Sequence, residues 1–435
     1  MTALNIEDEY DEYSRKLLEA CGNETIRIAM RRAIAAFRKN VDETFSKFPQ
    51  TLDKRKLARK VKEQSIDRME ELVKQAKDSI EDMKGRCYIA RNEHEALRVL
   101  DEIVGSGKLV VKSKSITSEE IALNEHLESR GNRVVETDLG EFIVQQLKEK
   151  PMHLLAPAVH VPKERVAELF SKLKGRSLEP NIPLLVETAR ELLREFYFKA
   201  NIGMSGANLV AAETGTIFII ENEGNARFVT NAPPVHIALI GFEKVVPTLS
   251  DAMLVSEVTW RYANYKVPSY VSLISSPSKT GDIEKTTTFG AHGPRELHVV
   301  FLDNNRTEMA KDPVYREALF CTKCGSCLYE CPIFSITAGS FGHRYLGGIG
   351  IIWTALVSGG FEKAAPMAYS CTLCGRCKSH CPMEIDTASI VAKLRAQLIS
   401  KGLVMPGLLE AAENIGKYGN CLLYTSDAAD EEDSV

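Results

Sequence analysis

Several common signatures are missing from this chain of 435 residues, and each absence excludes a class of protein. No GxGxxG fingerprint follows a strand-like run and opens a helix, and no P-loop pattern occurs anywhere. A nicotinamide or flavin held by a Rossmann unit is therefore not expected in this chain. The formal net charge is only -4, which gives no reason to expect nucleic acid or an anionic membrane as a partner.

Long apolar runs are missing as well. The most apolar window, GGIGIIWTALVSGG at residues 347–360, is too short and too rich in glycine to span a bilayer. The N-terminus, MTALNIEDEYDEYSRK, is acidic and has no apolar stretch, which excludes an ordinary secretory signal. We therefore expect a soluble protein without a transmembrane segment.

Cysteine is concentrated in one pattern that is written twice. The first copy reads CTKCGSCLYECP and the second reads CTLCGRCKSHCP, with every cysteine 50 residues after its counterpart. This is the bacterial ferredoxin spacing for a 4Fe-4S cluster, in which the fourth cysteine of each run ligates the other cluster. The sequence therefore predicts two 4Fe-4S clusters. Their expected ligands are Cys321, Cys324, Cys327 and Cys381 for the first cluster, and Cys371, Cys374, Cys377 and Cys331 for the second.

The residues between these cysteines also suit a cluster loop. Gly325 and Gly375 each follow the second cysteine, where the backbone must turn sharply, and Pro332 and Pro382 follow the fourth. The alternative is structural zinc, which also uses Cys-x2-Cys pairs and takes four ligands per ion. Zinc does not account for a third cysteine at another two-residue gap or for the proline. Because cluster thiolates need a reducing compartment, we expect a cytoplasmic protein.

Apolar periodicity divides the rest of the chain. Residues 1 to about 84 predict helices, with one apolar stripe in RMEELVKQAKDSIEDM. From Cys87 onward, the short apolar runs CYIA, KLVVKSKS, RVVETDLG and MHLLAPAVH predict strands that alternate with helices, which is typical of a parallel sheet. Thr216 to Glu221 predicts a strand, with a hairpin turn at 222–225 and a return strand at 227–230. Val235 to Gly241 predicts another buried strand.

Four stretches carry a resemblance to a known family. They are KSKSITSEEIALN at 112–124, ETDLGEF at 136–142, the region from ANIGMSGANLV through VHIALIGFEKVVPTL, and HGPRELHVVFLDNNR at 292–306. Together with the duplicated cysteine motif, they resemble the LUD-domain iron-sulfur proteins of lactate utilisation, from about residue 55 to 400.

The resemblance implies a fold and a set of partners. The fold is an α/β LUD domain similar to the ribose-phosphate isomerase and CoA-transferase superfamily, followed by a mainly α-helical dicluster ferredoxin domain. The implied activity is membership of a complex that oxidises lactate to pyruvate. The implied partners are a CCG-domain protein and a second LUD protein, or a flavoprotein.

These patterns predict five segments. They are an N-terminal helical region at 1–84, the LUD domain at 85–306, the ferredoxin domain at 307–400, a short C-terminal remnant at 401–420, and residues 421–435. The last segment begins CLLYTSDAADE, which matches a translated sequencing-library transposon end. We therefore interpret Cys421 onward as an artefact, with a genuine acidic disordered tail as the alternative.

Polar residues among the predicted LUD strands suggest a pocket for a small carboxylate. Glu213, Arg227 and His236 are the candidates, with Arg227 as the clamp for the anion. A structural role is the alternative, because a single histidine in an apolar strand is commonly a hydrogen-bonded core residue.

Charge distinguishes the two cysteine loops. Lys323 and Glu330 offset each other in the first loop, whereas Arg376, Lys378 and His380 have no acid between the cysteines of the second. Cations near a cluster favour its reduced form. The sequence therefore predicts that the second cluster has the higher potential.

Two functions follow from the sequence and the resemblance. The first is an iron-sulfur electron-transfer subunit of a complex that oxidises L-lactate or a related 2-hydroxy acid. The alternative is an iron-sulfur adaptor for a flavin oxidase or a heterodisulfide-reductase-like partner, with the LUD domain as a binding module. In both, the chain carries electrons within a larger oxidoreductase.

Overall fold

The structure is a computed structural model that describes residues 6–421. Residues 1–5 and 422–435, which include all but Cys421 of the proposed artefact, lie outside the described residues. The α-helices before the first strand are α1 (Ile6–Gly22), α2 (Glu24–Lys47), α3 (Thr51–Asp67) and α4 (Met69–Asp82). The helical N-terminal region is therefore as predicted.

The apolar stripe of the last of these helices faces the protein core. Leu72, Ala76 and Ile80 of α4 are fully buried, and α4 packs against the first strand of the LUD region. Asn23 caps α2, because its Oδ1 accepts the Ile26 backbone N–H at 3.1 Å.

A parallel six-stranded sheet forms the centre of the α/β region. The strands of the chain are β1 (Arg86–Ala90), β2 (Leu109–Lys112), β3 (Arg133–Glu136), β4 (Ile202–Ser205), β5 (Leu209–Ala211), β6 (Thr216–Glu221), β7 (Val235–Gly241), β8 (Val245–Val246), β9 (Tyr270–Ile274), β10 (Lys279–Thr280), β11 (Thr288–Phe289) and β12 (Glu296–Leu302). The order in the large sheet is β1-β12-β7-β4-β2-β3, and every neighbouring pair is parallel.

Helices cover both faces of this sheet. The helices of the α/β region are α5 (Glu93–Val104), α6 (Ile116–Glu120), α7 (Leu123–Ser129), α8 (Leu139–Leu147), α9 (Lys163–Lys174), α10 (Ile182–Lys199), α11 (Asn225–Asn231), α12 (Leu249–Tyr262) and α13 (Arg306–Lys311). Of these, α12 packs against β5 and β6 rather than against the six-stranded sheet. Val110 and Val111 of β2 point to opposite faces and are both fully buried, in two different apolar clusters. This is the pattern of a sheet with helices on both sides, so the α/β prediction is confirmed.

The predicted hairpin after β6 is wrong. Strand β6 pairs instead with β5 and β9 in a second sheet of order β8-β5-β6-β9, and the predicted return strand is helix α11. The reason is a long-range contact, because α11 packs against β4 at Gly203. A side chain at Gly203 would place its Cβ 1.8 Å from the Val229 carbonyl oxygen.

The strand predicted in MHLLAPAVH is also wrong. Residues 151–161 form turns, with Pro151 and Pro157 interrupting any ladder of hydrogen bonds. The His153 ring stabilises the turn, since its Nδ1 accepts the backbone N–H groups of Leu155 and Ala156 at 3.0 and 3.2 Å. A side chain therefore replaces the backbone partners that a strand would have needed.

The cysteine-rich region is mainly helical, as predicted. Its α-helices are α14 (Ser326–Glu330), α15 (Phe334–Thr337), α16 (Gly347–Trp353), α17 (Gly360–Ser370), α18 (Arg376–Ser379) and α19 (Thr387–Ser400), and α20 (Leu408–Tyr418) follows. One apolar cluster is continuous from the N-terminal helices through the LUD region into α19. Within residues 6–421, no helix is both long enough and apolar enough to cross a membrane.

Candidate functional site

The two cysteine loops have the same backbone shape. Lys323 and Gly325 have φ angles of 61° and 77°, and the equivalent Leu373 and Gly375 have φ angles of 53° and 74°. Each loop therefore makes two left-handed turns before a short helix begins, α14 in the first loop and α18 in the second. Glycine occupies one of these two left-handed positions in each loop and adopts the conformation without strain.

The fourth cysteine of the second copy lies with the first loop. Cys321, Cys324, Cys327 and Cys381 line one cavity, and Cys377 also reaches it. Burial raises the pKa of Cys381 to about 12, and the neighbouring Cys321 contributes to the increase. The structure thus brings together the four thiols predicted for the first cluster.

The remaining thiols form a second group. Burial raises the pKa of Cys331 to about 11, and the nearby Cys371 and Cys377 add to this shift. The Cys374 thiol in turn contributes to the raised pKa of Cys377. Each group therefore contains three cysteines from one loop and one from the other.

The chemistry of both groups suits an anionic iron-sulfur cluster. Among residues 6–421, no group of three or more histidine, cysteine, aspartate or glutamate side chains is placed to hold a single metal ion. A cluster instead needs thiols around a larger volume, and hydrogen bonds to its sulfurs tune its potential. The Ser326 backbone N–H donates to Cys324, and the Arg376 backbone N–H donates to Cys374 at the equivalent position.

A buried lysine gives further support for an anion at the first loop. Lys323 lines the cavity with the four thiols, and its Nζ is buried without a hydrogen-bond partner in the described chain. Nζ lies 3.2 Å from the Trp353 ring centroid and 4.6 Å from that of Tyr345. Burial lowers the pKa of Lys323 to about 8. A cluster with four thiolate ligands would provide a negatively charged partner for this ammonium.

The charges near the loops are not paired as the sequence suggested. Glu330 binds Arg38 through two bonds of 2.9 Å rather than Lys323, and its Oε2 lies 3.8 Å from His380 Nε2. Lys378 is exposed and pairs with Asp386 at 2.7 Å. The first loop therefore has the unpaired, buried cation.

A buried ionic network connects the first loop to the LUD sheet. Arg306, just after β12, is completely buried and binds Glu120 at 2.6 Å as well as Glu243. Tyr345 donates its hydroxyl to Glu120, and its ring stacks on Trp353 with centroids 5.0 Å apart. The carboxyl ends of the LUD strands are thus joined to the cysteine region by charged groups that cannot reach water.

Comparison with known proteins agrees with this two-part arrangement. Residues 73–302 match the family described as LUD domain, and residues 317–385 match the 4Fe-4S dicluster domain. Lactate utilization protein B of Bacillus subtilis is 30% identical over 396 residues, which cover 90% of this chain and 81% of that protein. The chain belongs to the lactate utilization protein B family.

Another relative in this family is lactate utilization protein B of Shouchella clausii. It is 36% identical over 321 residues, which are 73% of this chain and 66% of that protein. A crystal structure of a DUF162 family protein from Deinococcus radiodurans covers 54% of this chain and 98% of that chain. Its TM-score is 0.31 at 15% identity, a similarity too low to support any conclusion.

The LUD domain of this family member does not bring the three predicted pocket residues together. Glu213 is exposed and accepts the Leu249 backbone N–H at 2.7 Å. Arg227 is exposed on α11 and lies 4.3 Å over the Tyr270 ring. His236 is buried in β7, 2.8 Å from the Ser205 hydroxyl, and burial lowers its pKa to about 3. Glu213 therefore caps a helix, Arg227 lies on the surface and His236 lies in the core.

A different set of LUD residues lines a large cavity beside the first cysteine loop. The cavity has a volume of about 2080 Å³ and includes residues at the carboxyl ends of β2 and β3, such as Lys112, Lys114 and Glu136. Sequence reasoning missed them, although charged residues directly after the apolar runs LVV and VV were visible. The carboxyl ends of parallel strands are the usual place for ligands in such sheets.

Proposed function

We propose that this protein is the iron-sulfur electron-transfer subunit of a cytoplasmic complex that oxidises L-lactate or a related 2-hydroxy acid to pyruvate. The observation that carries the proposal is the grouping of Cys381 with Cys321, Cys324 and Cys327 in one cavity. A crossed arrangement of this kind is typical of two-cluster ferredoxins. The names of the B. subtilis and S. clausii relatives support a role in lactate utilisation.

The two groups of thiols would each hold one 4Fe-4S cluster, which supplies one-electron transfer when bound. The backbone N–H groups of Ser326 and Arg376 donate to thiol sulfurs and would stabilise the added charge. The second group lies nearer the surface, because Cys374 is exposed whereas Cys324 is buried. We therefore propose that the second loop faces the electron-transfer partner. The partners would be a CCG-domain protein and a second LUD protein.

The test is anaerobic co-purification of the full chain with the products of its neighbouring genes, followed by lactate-dependent dye reduction. The complex is expected to reduce the dye with L-lactate and to lose this activity when this subunit is omitted. A variant with Cys374→Ser should assemble but transfer electrons poorly. Cys87→Ser is a matched control, because Cys87 is a buried thiol in β1.

Two outcomes would count against the proposal. Dye reduction that persists at full rate without this subunit would exclude it from the electron path. Co-purification with a flavin oxidase or a heterodisulfide-reductase-like protein, with no response to lactate, would favour the adaptor function instead.

A further inference from the structure

The large cavity beside the first loop lies where the connectivity of the sheet reverses. Strand β2 is flanked by β3 on one side and β4 on the other, so the chain leaves β2 in one direction and later returns to its opposite edge. Ligands of open α/β sheets bind in the crevice outside the carboxyl ends of strands at such a point. The residues Lys114, Glu136 and Asn208, which follow or end these strands, all line the cavity.

Two buried nitrogen donors in this crevice make no hydrogen bond within residues 6–421. Lys114 Nζ forms an ion pair with Glu141 Oε1 at 3.5 Å but makes no hydrogen bond. His153 is only 1% exposed, and its Nε2 is also without a partner. Because His153 Nδ1 accepts two backbone N–H groups, the proton of the neutral ring must be on Nε2. Buried donors of this kind are normally satisfied, and a molecule bound in the cavity would supply the acceptor.

Both donors belong to residues that line the same cavity. Burial lowers the pKa of His153 to about 3, and the positive charge of Lys114 lowers it further. His153 therefore stays neutral and donates through Nε2–H at any physiological pH. An ammonium and a neutral N–H donor that line one cavity fit a carboxylate, which has two acceptor oxygens.

Unpaired acceptors line the same crevice. Glu136 Oε2 and Asn124 Oδ1 are buried and make no hydrogen bond within the described residues. Their other atoms are used, because Asn124 donates to Glu136 Oε1 at 2.7 Å and Lys112 pairs with the same oxygen at 2.7 Å. A hydroxyl group on the ligand would satisfy one of these oxygens.

We propose that this crevice binds a small hydroxylated carboxylate, with the carboxylate against Lys114 and His153 and the hydroxyl toward Glu136 and Asn124. The proposal rests on the proposed function and gives it a binding site in this subunit. Single small-molecule pockets are typically about 300–1,000 Å³. The ligand would therefore occupy only the Lys114 end of the cavity and leave the remainder open.

Glu141 makes binding depend on pH. Burial raises the pKa of Glu141 to about 7, and the Lys114 charge offsets part of this increase. The charged groups that act on it are Lys112, Lys114, Glu136 and Asp138. An anion next to Lys114 favours the protonated form of Glu141. Above pH 7 the complex must take up a proton, so affinity should fall with rising pH.

The experiment is calorimetric titration of the full, anaerobically purified protein with L-lactate at pH 6.5 and 8.5. Propionate lacks the hydroxyl and lactamide lacks the carboxylate, so both should bind at least tenfold more weakly. Lys114→Gln and His153→Phe should each weaken lactate binding roughly tenfold or more, as expected for a hydrogen bond to a charged group. Phenylalanine keeps the ring contacts that His153 makes with Tyr329 and Phe334.

Controls separate binding from folding. Lys108→Gln removes an exposed lysine just before the amino end of β2, outside the cavity, and should leave affinity unchanged. Cluster absorbance should be the same in every variant. Glu141→Gln should bind equally well at pH 6.5 and 8.5, which a merely structural role would not produce.

Two results would overturn the proposal. One is the absence of lactate binding to the isolated subunit while the assembled complex still reduces dye with lactate, which places the substrate site in a partner and leaves the proposed function intact. The other is lactate binding that Lys114→Gln and His153→Phe do not weaken. Failure of the proposed function would give a different result, because dye reduction by the complex would then not depend on this subunit.

Discussion

The two cysteine loops have nearly the same sequence and backbone but different surroundings. The first loop is covered by the LUD domain, with Leu155 within 3.5 Å of where a Cβ on Gly325 would lie. A Cβ on Gly375 in the second loop would meet nothing within 4 Å. Duplicated motifs therefore produce equivalent local geometry and unequal environments, because burial and charge come from the rest of the fold.

The largest expected effect tests the crossed grouping of the cysteines. Cys381→Ser should remove the cluster of the first loop, so iron content should fall by about half. Its residual electron paramagnetic resonance spectrum should match that of Cys321→Ser, whereas Cys331→Ser should match Cys371→Ser. Cys87→Ser should keep both signals. A Cys381→Ser spectrum that matches Cys371→Ser would show that each motif holds its own cluster.

The next prediction compares ion pairs beneath the two loops. Arg306→Met should destabilise the protein by about 3–5 kcal/mol, because it leaves Glu120 and Glu243 buried without their partner. Lys378→Met breaks a pair whose side chains are 51% and 32% exposed, and should change stability by less than about 1 kcal/mol. Anaerobic urea unfolding measures both. Equal effects of the two variants would contradict the difference in burial.

A smaller effect is expected on the redox potentials. The sequence alone suggested that the second cluster has the higher potential, but the buried, unpaired lysine belongs to the first loop. We therefore expect the first cluster to have the higher potential. Lys323→Met should lower it by on the order of 60 mV, which is a tenfold change for one electron. A redox titration followed by electron paramagnetic resonance measures this, with Lys378→Met as the exposed control. A larger shift in potential from Lys378→Met than from Lys323→Met would instead support the higher potential for the second cluster.

The smallest expected difference is in sensitivity to oxidants and chelators. Cys374 is exposed, whereas Cys324 is buried. An oxidant reaches a cluster with an exposed cysteine ligand more readily than a cluster whose ligands are buried. Ferricyanide should therefore remove the second cluster a few-fold faster, seen as two phases of iron release. Simultaneous loss of both clusters would contradict this.

Much of the fold could be predicted from apolar periodicity. The stripe of α4 and the buried runs of β2 and β7 appear where the sequence places them, since burial on one or two faces leaves a regular pattern. The hairpin after β6 could not be excluded in this way. The hairpin does not form because α11 packs against Gly203, which is distant from it in the chain.

The candidate LUD site was less predictable. Glu213, Arg227 and His236 were selected because they are polar residues among strands, yet they face three different environments. Lys114 and His153 can be identified only from the three-dimensional structure, because the evidence for them is a missing hydrogen bond. A missing hydrogen bond has no sequence pattern.

The sequence by itself determined the local chemistry of the cysteine loops. Spacing and glycine position set the left-handed turns at Lys323, Gly325, Leu373 and Gly375, since these depend only on neighbouring residues. The tertiary structure alone decided which loop is buried and which cation is unpaired. Those properties depend on desolvation and on contacts between distant segments, which the order of residues does not specify directly.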